Sequence, residues 1–120
     1  MKKIVSFGRH KFTNKADALD FFAAALLREE IGAVFGHDPT EKSDSGLDRS
    51  IMLDLFKNHR DVGLFDEHVV PVEFQILRNE FTEQRIFRGQ CGADVYIYLD
   101  YESCVSRAFD EDDEEEIDQV

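Results

Sequence analysis

Apolar residues return every three or four positions in two stretches of the first half of the chain, and at every second position later on. Between residues 16 and 30, Leu19, Phe22, Ala23, Leu26 and Leu27 form a stripe one helix face wide. Asn14 or Thr13 offers an N-cap, Asp17 sits in the first turn, Phe12 is placed to staple onto the following turn, and Gly32 ends the segment. Gly36-His37-Asp38-Pro39 and Ser43-Asp44-Ser45-Gly46 then mark residues 33–46 as loop. A second helix is predicted after a cap at Ser45 or Asp48. Its apolar face is Leu47, Ile51, Met52, Leu55 and Phe56, and it runs out near Asn58-His59.

Strand patterning flanks these helices. Ile4-Val5-Ser6-Phe7, closed by Gly8, reads as a short first strand. Past Gly63, residues 70–77 alternate, with Val72, Phe74 and Ile76 on one face. Arg85 to Arg88 is a second strand after a turn around residues 79–83. Gly89-Gln90-Cys91-Gly92 supplies hairpin residues, and 93–101 is a third strand with Val95, Ile97 and Leu99 opposite Tyr96, Tyr98 and Asp100. The order predicts an α+β fold: two N-terminal helices packed on a three- to four-stranded, mainly antiparallel sheet whose Tyr/Glu/Arg face is partly wet. A single domain over residues 1–109 is expected, since 120 residues suffice for one core and not for two.

Charge changes the picture only at the end. Of 26 acidic residues, eight fall between Asp110 and Asp118, leaving 18 against 14 basic ones in the body of a chain whose formal charge is -12. Residues 110–120 are therefore expected to be an acidic, disordered tail beyond an almost neutral body. Asp112, Asp113, Glu114, Glu115 and Glu116 are its candidate contacts, and they imply a protein partner with a basic surface. The longest apolar run, Phe21 to Leu27, is far short of the ~20 residues of a membrane span. No apolar signal core follows Lys2-Lys3, and Cys91 and Cys104 form no C-x-x-C motif. These features predict a cytoplasmic protein with reduced cysteines.

No cofactor or metal site is expected. His10, His37, His59 and His68 are scattered, and His37-Asp38 and Asp66-Glu67-His68 read as solvated loop residues. No serine or cysteine sits in a nucleophile elbow, and no glycine-rich loop opens a helix with Lys or Arg. The most suggestive group is Arg78, Arg85 and Arg88 on two paired strands, with Tyr96, Tyr98 and Tyr101 on the third. Arginines beside tyrosines on a sheet can clamp nucleotides. A charge of -12 opposes a polyanion, however, and disfavours direct nucleic-acid binding. Cross-strand pairing of Glu73 or Glu83 with Arg85 or Arg88 is the competing use of those side chains.

Several short motifs share one order and spacing: Gly8-Arg9-His10-Lys11-Phe12, Lys15-Ala16-Asp17-Ala18, Leu53-Asp54-Leu55-Phe56-Lys57-Asn58-His59, Arg85-Ile86-Phe87 and Leu99-Asp100-Tyr101-Glu102-Ser103-Cys104-Val105. In these the stretch from Phe7 to Val105 resembles the DCL (defective chloroplasts and leaves) domain family. Arg60 stands where that family usually has a proline, and Cys91 where it has an arginine. The resemblance implies a small domain found beside RNA-processing and transcription machinery, with no enzyme class attached. The expected function is thus a non-enzymatic adaptor, with His59, Arg85, Arg88 and Tyr101 as candidate binding residues. The alternative is an acidic inhibitor or nucleic-acid mimic that blocks a basic nucleic-acid-binding protein.

Overall fold

Asn14 turns its side chain back onto the chain, and Oδ1 accepts the Asp17 N–H at 2.8 Å, which starts the first helix. The computed structural model describes residues 4–64 and 69–118. A hairpin of β1 (Val5–Phe7) and β2 (His10–Phe12) leads into α1 (Lys15–Arg28). A two-residue strand β3 (Val34–Phe35) follows, then α2 (Arg49–Lys57), capped by Asp48, whose Oδ1 accepts the Ile51 N–H at 2.9 Å. A 3₁₀ turn at Val62–Leu64 precedes β4 (Glu73–Arg78), β5 (Arg85–Gly92), β6 (Val95–Leu99) and α3 (Tyr101–Asp118). The main sheet is antiparallel in the order β3-β4-β5-β6. The α+β class is as expected; the detail differs, and His10–Phe12, expected as the lead-in to α1, forms strand β2 paired with β1.

The principal correction is a third helix. Tyr101 opens α3 instead of closing the last strand, because Asp100 Oδ1 accepts the Glu102 N–H at 3.1 Å and caps a new helical turn. The acidic segment, expected to be disordered, continues this helix through Asp118. Glutamate is a good helix former, and residues 101–109 have already formed the costly first turns.

Other differences concern a further strand and the extent of the expected elements. Val34 and Phe35, inside the expected loop, pair with Gln75 and Phe74 and form an edge strand. β5 continues through Gly92, so the hairpin turn falls on Ala93-Asp94, with a register shift between Gln90 and Gly92. The strand expected from residue 70 begins at Glu73, and Val72 is exposed. On α1 the buried positions are Ala18, Phe22, Ala25 and Leu26, while Leu27 is 70% exposed. The stripe is rotated from the expected one.

α1, α2, α3 and the β1–β2 hairpin gather on one side of the sheet. Phe35, Phe74, Ile76, Phe87, Ile97 and Leu99 of the sheet share one buried cluster with Phe7, Phe22, Leu55, Met52 and, from α3, Cys104, Val105 and Phe109. Phe22 is at the centre, with its ring 5.3 Å from Phe7 and 6.4 Å from both Phe87 and Tyr101. Among the described residues no helix covers the opposite sheet face.

Polar side chains tie the loops to this core. Arg49, the first residue of α2, donates from Nη1 to the carbonyls of Gly36 (3.0 Å) and Val72 (2.9 Å), and from Nη2 to that of Pro71 (3.0 Å). One guanidinium thus joins the end of β3, the approach to β4 and the start of α2. Among the described residues no helix is long and apolar enough to cross a membrane.

Candidate functional site

Strand alternation sends Gln75 and Leu77 of β4, Ile86, Arg88 and Gln90 of β5, and Tyr96 and Tyr98 of β6 to the face away from the helices. Gln75 is the hub of a polar network there. Its Oε1 accepts from Arg88 Nε at 2.9 Å and Nη2 at 2.5 Å, while its Nε2 donates to Gln90 Oε1 at 2.7 Å and Glu73 Oε2 at 3.1 Å. The Arg88 guanidinium also lies over the Tyr96 ring, 4.1 Å from its centroid. Arg88 is therefore held from two sides, by Gln75 and Tyr96. The expected Glu73–Arg88 pairing is replaced, because the register sets Gln75 opposite Arg88 and Glu73 opposite Gln90.

Towards the β4–β5 hairpin this face becomes apolar. Leu77, Ile86, Tyr98 (55% exposed) and Ile31 (49% exposed) line a depression of about 610 Å³, together with Arg78, Asn79, Glu80 and Phe81. Phe81, at the hairpin tip, is 97% exposed. The turn beneath it is closely bonded. Asn79 Oδ1 accepts the N–H groups of Phe81 (2.9 Å) and Thr82 (3.3 Å), the Asn79 N–H donates to the Gln84 carbonyl (2.8 Å), and the Glu83 N–H donates to the Asn79 carbonyl (2.7 Å). An aromatic ring is presented to solvent on a fixed turn.

The four predicted binding residues do not form one site. His59 lies just past α2, after the cap Asn58: its Nδ1 accepts the Asp61 N–H at 3.1 Å, so Nε2 carries the ring proton and meets the Tyr98 carbonyl on the outer edge of β6 at 3.1 Å. It borders a depression of about 480 Å³ with Tyr96, Tyr98, Asp100 and Cys104. Arg85 and Tyr101 do come together, beside Leu26, Leu99 and Glu102 at a separate depression of about 330 Å³. Tyr101 packs against Phe22 and Phe87, and burial, with the nearby carboxylates of Glu102, Asp100 and Asp20, pushes its hydroxyl pKa up. Arg88 alone lies on the open face. Asp112, Asp113, Glu114, Glu115 and Glu116 follow one another along α3, and their side chains lie outside the described residues, as do Asp66, Glu67 and His68.

Cys104 is shielded and Asp38 already engaged. Burial, reinforced by Asp100, pushes the Cys104 thiol up to about 12, far from a reactive thiolate. Asp38, beside His37, accepts from the N–H and hydroxyl of Thr40, both at 2.8 Å. Among the described residues no three His, Cys, Asp or Glu side chains converge as a metal site.

Two features escaped the sequence reading. Phe81 had a signal, an aromatic residue inside the turn Asn79-Glu80-Phe81-Thr82-Glu83 where polar residues are the rule. Gln75 as a hub had none, since its role depends on strand register. Compared with family models, curated proteins and solved structures, the chain matches none.

Proposed function

We propose that the chain is a non-enzymatic interaction module of the DCL type, an adaptor working beside RNA-processing or transcription machinery in the cytoplasm, which docks through the bare face of its sheet. The observation that carries this reading is the apolar end of that face, where Ile31, Tyr98 and Phe81 are exposed around Leu77 and Ile86. Exposed apolar patches rimmed by polar residues mark interaction surfaces. The Arg88–Tyr96 stack beside it supplies the Arg and Tyr that dominate binding hot spots.

The resemblance contributes at the level of fold. Of its motif residues, Leu55, Phe56, Phe87, Leu99, Cys104 and Val105 are all buried in the core. They are packing positions, and they support a shared architecture more than a shared chemistry. The charge of -12 points to a protein partner with a basic surface, since the field steers such a partner inward and repels nucleic acid.

One observation favours the second reading, an acidic mimic of nucleic acid: the backbone of the acidic run continues a helix. Capture from the native host separates the two, using the full chain, a chain ending at Phe109 and Tyr98→Glu. A module docking by its sheet loses its partner with Tyr98→Glu and keeps it on truncation. A mimic does the reverse, and its binding weakens steeply with salt.

A further inference from the structure

We propose that the outer edge of β6 is a strand-addition site, which takes an extended segment of a partner protein with a basic residue at each end. β6 is a terminal strand of the main sheet, and its register fixes which backbone groups turn outward. The Gln90 carbonyl accepts the Val72 N–H at 2.8 Å and so turns toward the β4 side; Tyr96, opposite Gln90, therefore points its N–H and C=O away from β5. Tyr98 has the same parity, and its carbonyl meets His59 Nε2 outside the sheet at 3.1 Å. Among the described residues nothing bonds to the other outward groups, the N–H and C=O of Tyr96 and the N–H of Tyr98. Two donors and an acceptor at the ladder repeat match the backbone of another extended chain. In antiparallel addition the residue opposite Tyr96 exchanges both bonds with it, and the residue opposite Tyr98 accepts from its N–H.

The sequence does nothing to blunt this edge. Val95-Tyr96-Ile97-Tyr98-Leu99 holds no proline, glycine or charge, and Val95, Tyr96 and Tyr98 are exposed. The opposite edge, β3, is two residues long and offers no comparable ladder. β6 also borders the depression of about 480 Å³ lined by Ile97, Cys104, His59, Arg60 and Asp61. Alternate side chains of an added strand share the side of Ile97, where that depression lies. This edge is a surface separate from the open face, and its use does not depend on that face.

Charge selects the occupant. Asp94 and Asp100 stand at the two ends of β6, both exposed and neither in an ion pair among the described residues, while Arg60 pairs with Asp61 at 3.6 Å. A segment spanning the two aspartates is about seven residues long, and lysine or arginine at its ends faces both carboxylates. A second copy fits poorly. The antiparallel self-pairing that joins Tyr96 of one copy to Tyr98 of the other sets Asp94 against Asp100 and needs the carbonyl that His59 holds. Repulsion between two chains at -12 adds to this.

Two displayed heptapeptide libraries test this against the full chain, both random at the central positions, one with lysine at each end and one with glutamate. The lysine library yields binders and the glutamate library none. In the unbound chain the Tyr96 and Tyr98 amides exchange fast with solvent while those of Ile97 and Leu99 are slow, and a synthetic binder slows all four. Scanning N-methylation along that binder weakens it about tenfold at one central residue, the loss of one backbone bond. Tyr96→Val keeps the outward N–H and keeps the binder. Tyr96→Pro removes that N–H without taking a bond from the ladder, and weakens the binder about tenfold. If Tyr96→Pro unfolds the chain, amide exchange and the N-methyl scan decide alone. Equal yields from the two libraries, no binder from the lysine library, binders that leave both tyrosine amides fast, or a flat N-methyl scan each overturn the proposal. A binder lost with Tyr98→Glu while both amides stay fast belongs to the open face. A concentration-dependent dimer that slows the same amides without peptide makes the second copy the occupant and overturns it too.

Discussion

Ser45 donates both its backbone N–H, at 2.9 Å, and its hydroxyl to a single carboxylate oxygen of Glu29, the residue that caps the C-terminus of α1. Glu29 is only 4% exposed, a rare setting for a carboxylate. Burial raises its pKa, but hydrogen bonds from Ser43 and Ser45 outweigh that and hold it below the ordinary value of 4.5. A carboxyl that ionises more readily folded than unfolded stabilises fully above 4.5, and that stabilisation fades as pH falls through the lower folded value. Glu29→Gln should therefore cost about 2 kcal/mol at neutral pH. In urea titrations the gap between wild type and variant should close on acidification. A gap independent of pH contradicts the ionised latch.

The Glu29 latch shows why parts of this fold could not be read from the sequence. Local signals were legible: Asn14 and Asp48 cap their helices as their side chains dictate, and Ile51, Met52, Leu55 and Phe56 are buried as their spacing requires. Partners separated along the chain were not. Nothing near Glu29 announces Ser45, sixteen residues on, and nothing near Arg49 announces the carbonyls of Pro71 and Val72. The third helix was legible in principle, through the cap Asp100 and the spacing of Cys104, Val105, Ala108 and Phe109. Alternation from Val95 to Leu99 runs straight into it, and Tyr101 extends the strand pattern by one step. Of the candidate site, strand alternation placed Tyr96 and Tyr98 on the open face and already separates Arg85 from Arg88, three residues on, while Tyr101 is taken off the strand by the start of α3.

Gly8 is where the hairpin meets α2, and its backbone leaves no room for a side chain. Its φ is +61°, and its N–H donates to Asp54 Oδ2 at 2.7 Å. A Cβ there would lie 2.6 Å from Ser50 Oγ and 2.9 Å from the Ile51 nitrogen. Gly8→Ala should cost about 2–4 kcal/mol, combining left-handed strain with overlap against the helix backbone. Gly46→Ala is the control: φ is +90°, but nothing lies within 4 Å, so strain alone should cost about 1 kcal/mol. Chemical denaturation of both variants measures the difference, and equal costs would remove the close approach at Gly8 as its cause.

The two cysteines should differ in accessibility. Cys104 is almost fully buried on α3, with its thiol pushed up to about 12 by burial, whereas Cys91 is half-buried on β5 with a smaller rise of the same origin. Under native conditions at mildly alkaline pH, an alkylating reagent should modify Cys91 slowly and Cys104 only through unfolding. Peptide mass mapping over time should show Cys104 labelling accelerated by urea in step with the unfolded fraction. Fast native labelling of Cys104 would place α3 differently.

The acidic half of α3 should contribute almost nothing to the stability of the body. Its one described tie is Lys15 Nζ to Asp110 Oδ2 at 3.2 Å, with both groups well exposed, and such pairs are worth about 0–1 kcal/mol. Two forces oppose the helix beyond that point. Carboxylates near a helix C-terminus face the negative end of the macrodipole, and Asp112 with Glu116, or Glu114 with Asp118, set like charges four residues apart. A chain ending at Phe109 should thus unfold within about 1 kcal/mol of the full chain, with helical circular dichroism reduced by the residues removed. In the full chain, added salt or acid should increase helical signal as repulsion is screened or neutralised. If the truncated chain fails to fold, the acidic half belongs to the domain, and the division between a nearly neutral body and a charged extension fails with it.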